Sequence, residues 1–232
     1  MMPSPDVYEL EYQYWPWGLV VTFLRNWLVL NAPESGFIID YMCGTGQLLN
    51  SLREERPDLL LWGCCLDDEY VAYAQKYYPS ISIEKKDALQ HMPLRKPEII
   101  ICAAGLHHLE YELQPIFLAK IARELAPGGT FLLAEETISH NVDMTSRSLA
   151  VIELGAAILR YATSKAAPPS VVGAAVDLLK RDLFQTGEYK TSESELANML
   201  CSSFSITSRT HLWPFDQSDY GDRVFICKPL QS

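Results

Sequence analysis

Three groups of residues in this chain of 232 have types and spacings suited to chemistry. The first is Asp40, ending an apolar run and followed by the turn Gly44-Thr45-Gly46. An acid that closes a buried strand, with glycines leading into a helix, lets the backbone approach a ligand closely and aims helix-terminal N–H groups at it. The second is His107-His108, with Glu110, just past another apolar run, and the third is Glu135, Glu136 and His140 past a further one. The third group supplies candidate bases, or carboxylates that are simply solvated at a strand end. His107, His108 and Glu110 carry metal-ligand atoms, but no second cluster completes a set at recognisable spacing, so no metal is expected. Ahead of them all runs an aromatic segment, Tyr8, Tyr12, Tyr14, Trp15 and Trp17. It reads either as a helix packed by large rings or as a cover that closes on a cationic or flat ligand.

The elements that must position these groups alternate between short apolar runs and helical stretches, the pattern of an α/β fold with a mainly parallel sheet. Strands are expected at residues 37–40, 59–66, 81–83, 98–103 and 130–134, with helices at 48–55, 68–77 and 113–125 between them. Pro127-Gly128-Gly129 stops the last of these helices and turns the chain into the fifth strand. Residues 205–213 and 223–228 read as an antiparallel pair. No repeat or linker divides the chain, so a single domain is expected: an amino-terminal aromatic cover (1–35), a core (36–136), a helical insertion (139–183) and carboxyl-terminal strands (184–232). In the insertion, Leu149, Ile152, Ala156 and Leu159 form one helical face and Val151, Leu154, Ile158 and Tyr161 nearly the opposite one. A helix apolar on two sides needs a second cover: a lid's pocket, a homodimer interface, or the next helix after Pro168-Pro169.

Charge and composition narrow the partners. A net charge of −10 with no Lys/Arg run argues against nucleic acid. Six cysteines, including the neighbours Cys64 and Cys65 on opposite strand faces, do not form a secreted disulfide framework, and reduced thiols in the cytoplasm fit better. Asp6, Glu9 and Glu11 replace the positive start of a targeting signal, and Arg25 and Asn26 interrupt the apolar run behind them, so no membrane association is expected.

Asp40-Tyr41-Met42-Cys43-Gly44-Thr45-Gly46 resembles the first motif of the class I S-adenosylmethionine (SAM)-dependent methyltransferases, usually Asp-Leu-Gly-Cys-Gly-Thr-Gly. Asp87-Ala88, the segment from Ala103 to the Leu-His-His-Leu that ends at Leu109, and Pro127-Gly128-Gly129 follow in the family's order. The resemblance implies a three-layer Rossmann-like fold, with a seven-stranded sheet in the order 3-2-1-4-5-7-6 and an antiparallel last strand. It implies SAM as cofactor and S-adenosylhomocysteine as product. Asp40, Cys43, Gly44 and Gly46 would line the methionine and ribose portion, Asp87 and Ala88 the adenine, and Ala103 the wall beside the fourth strand. Met42 stands in place of the motif's first glycine, and either narrows the cofactor space or packs beneath the loop. Cys65 stands where the family has the acid that accepts both ribose hydroxyls, which a thiol cannot do. Among Cys65, Leu66 and Asp67 at that strand end, Asp67 is expected to take over the ribose role, and Asp68 to cap the next helix.

Methyl transfer is an in-line displacement that needs alignment and, often, a base. One of His107 and His108 is expected to meet substrate or cofactor while the other packs, with both structural as the alternative; Glu135, Glu136 and His140 form the second group of candidates. The acceptor is expected to be a small hydrophobic or aromatic molecule beneath Tyr8, Tyr12, Tyr14 and Trp15, with oxygen or carbon methylation favoured because Ala103-Ala104-Gly105-Leu106 lacks the Asp/Asn-Pro-Pro-Tyr of amino-group methylases. Met42 and Cys65 also motivate two other readings: a SAM-independent or SAM-retaining cyclase or isomerase, and a non-catalytic partner subunit.

Overall fold

The computed structural model describes residues 2–216 and 218–230. Its centre is a sheet of seven strands in the order β3-β2-β1-β4-β5-β7-β6. These are β1 (Phe37–Tyr41), β2 (Leu60–Cys65), β3 (Ser82–Lys85), β4 (Ile99–Ala103), β5 (Thr130–Thr137), β6 (Phe204–Trp213) and β7 (Gly221–Pro229). The first five pair in parallel, and β7 runs antiparallel to both β5 and β6.

Burial on both faces explains the continuous apolar runs. Ile38, Ile99, Ile101, Leu132 and Ala134 enter one apolar layer, while their neighbours Ile39, Ile100, Cys102, Phe131 and Leu133 enter the other. The period is two, as successive strand side chains require. Over the first face lie α2 (Trp17–Asn31), α3 (Gln47–Glu55), α4 (Asp68–Tyr77), α6 (Met144–Ser164) and α7 (Pro169–Leu183); α5 (Gln114–Glu124) and α8 (Glu193–Cys201) cover the second. The remaining helix, α1 (Pro5–Tyr14), packs on α2, α4 and α7.

Three expectations change. Strand β5 runs on to Thr137 with all eight residues buried, so Glu135 and Glu136 sit on the strand and not beyond it. The 184–232 segment holds α8 as well as two strands, opened by a capping box between Ser192 and Glu195. And β2 stops at Cys65, so Asp67 rather than Asp68 caps α4, accepting from the Glu69 and Tyr70 amides at 2.9 and 3.3 Å. In α6 the face of Val151, Leu154 and Ile158 is buried, and Gly155 lets Leu179 of α7 approach so closely that an added Cβ would meet it at 2.7 Å. The opposite face leaves Leu149 and Ile152 exposed. Among the described residues no helix is long and apolar enough to cross a membrane.

Candidate active site

The glycine loop leaves β1 through left-handed backbone at Met42 (φ 60°), Gly44 (57°) and Gly46 (82°), then enters α3. Glycine adopts this region freely, whereas a residue with a Cβ is strained by about 1–2 kcal/mol. Met42 accepts that strain, its side chain lying against Gly105 and the second apolar layer. Helix α1 is laid across the loop: Tyr8 occupies the space where a Gly44 Cβ would go, 2.7 Å from its Oη. Glu9 locks it there, accepting from Thr45, from Gln47 Nε2 at 2.6 Å and from Tyr78 Oη at 2.8 Å.

Below α1 a cavity of about 550 Å³ opens along the carboxyl ends of the strands. Sheet order sets its two ends, since adjacent strands lie roughly 4.8 Å apart. One end, past β1, β2 and β3, is lined by Met42, Gly44, Cys65, Leu66, Asp67, Asp87 and Ala88. The other, past β4 and β5, is lined by His107, His108 and Glu136, with Glu11 and Trp15 from above and Arg181 of α7.

Several expected residues do not line it. Ala104, at φ 50°, takes the wall position assigned to Ala103. Cys43 and Gly46 face the core and Ile83, their buried side supporting the loop from behind. Tyr12 and Tyr14 pack against the first apolar layer instead of the cavity. His140 is exposed, its backbone amide donating to Asp219 at 3.4 Å. Asp40 is buried beneath the loop with Oδ1 lacking a hydrogen-bond partner among the described residues, and burial pushes its carboxyl up to about 8.

Glu135 is no free base. It accepts from the Gly105 and Leu106 amides at 3.1 and 2.8 Å and from His107 Nδ1, so it fixes the single 3-10 turn Leu106–His108. His107 Nε2 lies 3.3 Å from Glu188, a fully buried carboxylate in the loop after α7. Burial alone would depress the His107 imidazolium, but the Glu135 carboxylate, against the opposing Lys190, carries it above its ordinary value. Glu188 is likewise held down to about 2, despite burial, by Lys190 at 2.9 Å, the two histidines and Arg181 at 3.1 Å. Sequence reading missed Glu188, Lys190 and Arg181. His107, His108 and Glu188 bring ligand-type atoms within 4.8 Å of one another, where Glu110 had been considered, but the carboxylate already pairs with an ammonium and a guanidinium.

His108 differs from its neighbour. Its Nδ1 donates to the Gly187 carbonyl at 3.1 Å, and a carbonyl can only accept, so the ring proton sits on Nδ1 and Nε2 keeps its lone pair. Burial, and then the charge of His107, push its pKa down to about 4. It is neutral at pH 7 and lines the cavity.

Residues 38–129 match the sequence model of a methyltransferase domain. Over that stretch, less than half of its length, the chain is similar to methyltransferase domains. No curated protein matches the chain. Among solved structures, the mitomycin 7-O-methyltransferase MmcR superposes with a TM-score of 0.60 at 16% identity, over 91% of this chain and 54% of that one, so the chain spans about half its length. The N-methyltransferase NodS of Bradyrhizobium japonicum, solved with S-adenosylhomocysteine, gives 0.59 at 13% identity over 90% and 85% of the two chains. A TehB-like SAM-dependent methyltransferase of Corynebacterium glutamicum gives 0.53 at 16%, over 89% and 86%. At these identities the likeness is one of fold.

The glycine loop fits a SAM-sized ligand. Gly44 lines the cavity beneath the Tyr8 ring, and Asp67 Oδ1 caps α4 while Oδ2 has no protein donor among the described residues. Asp87 lines the same end, although both its oxygens are engaged, by the Leu89 amide and by Gln90 Nε2, at 2.8 Å each. The loop also makes a stability prediction. Gly46→Ala combines positive φ with a Cβ 2.0 Å from Ile83 Cδ1, whereas Gly128→Ala, at φ 74°, meets open space. In urea unfolding, G46A is expected to lose about 1–3 kcal/mol more than G128A, the overpacking component; equal losses would mean that Ile83 moves aside freely.

Proposed function

We propose that the chain methylates a small, largely hydrophobic or aromatic acceptor at a hydroxyl oxygen, in the half of the cavity between Trp15 and His108. The observation that carries this reading is the single cavity reaching from the glycine loop to a neutral histidine with a free Nε2. SAM, when bound, supplies a sulfonium methyl group for in-line displacement. Gly44 would border the methionine portion, with the buried Asp40 supporting the loop from below, Asp67 would hold the ribose hydroxyls, and Leu66, exposed at the strand end, would cover one face of the adenine. Asp87 and Ala88 would border the adenine's other side.

His108 Nε2 would take the acceptor's proton as the oxygen attacks. A base pushed down to about 4 is weak, so it suits an acidic hydroxyl of the phenol kind better than an alkyl alcohol. Trp15 and Tyr8 supply ring surface for such an acceptor. The solved relatives named as O- and N-methyltransferases act on both kinds of atom, and the neutral His108 favours oxygen here.

Calorimetric titration with S-adenosylhomocysteine is expected to give one saturable site per chain. Its absence in the folded protein would return the SAM-independent and partner-subunit readings. Asp67→Asn and Asp67→Ala refine the test. Asn keeps the helix cap but replaces Oδ2 with an amide nitrogen, so D67N should keep the wild-type melting temperature and lose at least about tenfold in S-adenosylhomocysteine affinity, as for a lost charged hydrogen bond. D67A should lose the affinity and about 1 kcal/mol of stability as well. Unchanged affinity in both would leave Asp67 a cap alone.

A further inference from the structure

We propose that Glu11 and Glu136 form an ammonium subsite within the cavity, so that the acceptor bears a protonated amine beside its aromatic ring. The inference deepens the reading above and rests on the same cavity.

The charges around the cavity leave these acids over. Glu135 is taken by His107, Glu188 by Lys190 and Arg181, and Asp182 by Arg147 at 2.8 Å. Among the described residues Glu136 pairs with Lys190 alone, at 3.5 Å, and that ammonium stands closer to Glu188. Glu11 has no ion-pair partner among the described residues. It is 5% exposed and its Oε1 has no hydrogen-bond partner, yet the side chain lines the cavity. A buried polar atom left unpaired costs about 1–3 kcal/mol, and Oε1 is sealed from the open space, so a ligand's donor meets it once the carboxyl turns toward the cavity that the side chain lines.

The surroundings select the donor. Trp15 follows Glu11 by four residues, on the same side of α1, and with Tyr8 and Trp17 it gives the cavity aromatic walls. Ring faces attract cations, and an ammonium brings three donors and no acceptor, which suits two carboxylates between rings. A carboxylate or phosphate would be repelled there. Among the described residues Arg181 is the cation that acts on Glu11; its Nη1 pairs with Glu188, while its Nε has no hydrogen-bond partner.

Burial, reinforced by Glu136 and opposed by Arg181, pushes Glu11 up to about 9. The other titratable groups facing it are Tyr8 and Tyr12 on its own helix and Tyr70 on α4. Without a ligand, Glu11 therefore holds a proton at pH 7. An entering ammonium converts the acid to carboxylate, and the displaced proton passes to the buffer. An amine held in this way keeps its own proton and is not nucleophilic, so the methyl group goes to another atom, in agreement with a ring hydroxyl.

The test uses tyramine and tyrosol, phenols that differ in an ammonium against a hydroxyl. Each is titrated calorimetrically into wild type, Glu11→Gln and Glu136→Gln at pH 7, with and without saturating S-adenosylhomocysteine, in two buffers of different ionisation heat. Wild type is expected to prefer tyramine by at least about tenfold, equivalent to about 1.4 kcal/mol, and to release close to one proton on binding it. Glutamine copies the shape of protonated Glu11, so E11Q should abolish both the preference and the proton release while retaining tyrosol, and E136Q should reduce the preference. No preference for tyramine in wild type, whether both bind equally or neither binds, overturns the subsite, as does a preference that survives in E11Q. Binding of S-adenosylhomocysteine without any tyramine preference rejects the subsite and leaves the methyltransferase reading; tyramine preference without such binding does the reverse.

Discussion

Replacing His107 with alanine is expected to destabilise the fold by about 3–5 kcal/mol, the usual loss when one member of a buried charged set is removed. For a chain of this size that corresponds to a melting temperature lower by roughly 6–20 °C. Both ring nitrogens of His107 face carboxylates, Glu135 on β5 and Glu188 in the loop after α7, and all three side chains are nearly inaccessible. Taking away the imidazolium leaves Glu188 to Lys190 and Arg181 and leaves Glu135 with two backbone donors and an empty side. The pH dependence follows from the direction of the shift. The folded pKa is raised above the ordinary 6.5, so the stabilisation from charged His107 is complete below about pH 6.5 and is lost as pH rises through the folded value. The gap in stability between wild type and H107A, measured by urea unfolding, should therefore narrow at alkaline pH. A gap no larger than the ~1 kcal/mol of an exposed pair, or one that widens with pH, would show that His107 is not held as an imidazolium.

The sheet was legible because its signals are local. Three isoleucines in β4 and the Pro-Gly-Gly turn before β5 need no distant partner to be read, and Asp40 to Gly46 carries its glycines at the positions where the backbone is left-handed. Helix α8 was legible too, through Ser192 and Glu195, but its short apolar stripe was overshadowed by the strands that follow it. The amino-terminal helix shows what composition hides. Counting rings grouped Tyr8, Tyr12, Tyr14 and Trp15 together, whereas helical spacing sets Tyr8, Glu11 and Trp15 along one side, and that side faces the cavity. In the sequence Glu11 counts only as one of three acids near the amino terminus, and nothing local marks it for burial. Glu188, Lys190 and Arg181 gave no signal at all: nothing local marks a charge at the end of α7 or in the loop after it for pairing until α7 folds back beside the turn after β4. Cys65 and Met42 looked like obstacles, but Met42 packs beside Gly105, and Asp67 presents an oxygen at the strand end where Cys65 has none.

Replacing His108 with alanine is expected to lower kcat by about two to four orders of magnitude, the range for loss of a positioned general base, while leaving S-adenosylhomocysteine affinity near the wild-type value. The separation arises from placement: His108 belongs to the end of the cavity past β4 and β5, away from the glycine loop, Asp67 and Asp87. The same residue fixes the acid side of the pH profile. A histidine pushed down to about 4 is in its basic form throughout the neutral range, so wild-type kcat at saturating acceptor, with Glu11 already deprotonated, should stay level as pH falls from 8 through the ordinary histidine value of 6.5, and decline only toward 4. That plateau depends on His107 as well, since the neighbouring imidazolium, with ring centroids 4.4 Å apart, is part of what keeps His108 neutral. An H107A protein that remains folded should therefore show its acid limb moved upward, toward 6.5. If H108A instead loses turnover and S-adenosylhomocysteine affinity in equal measure, His108 positions the loop after β4 and the acceptor's proton leaves by another route.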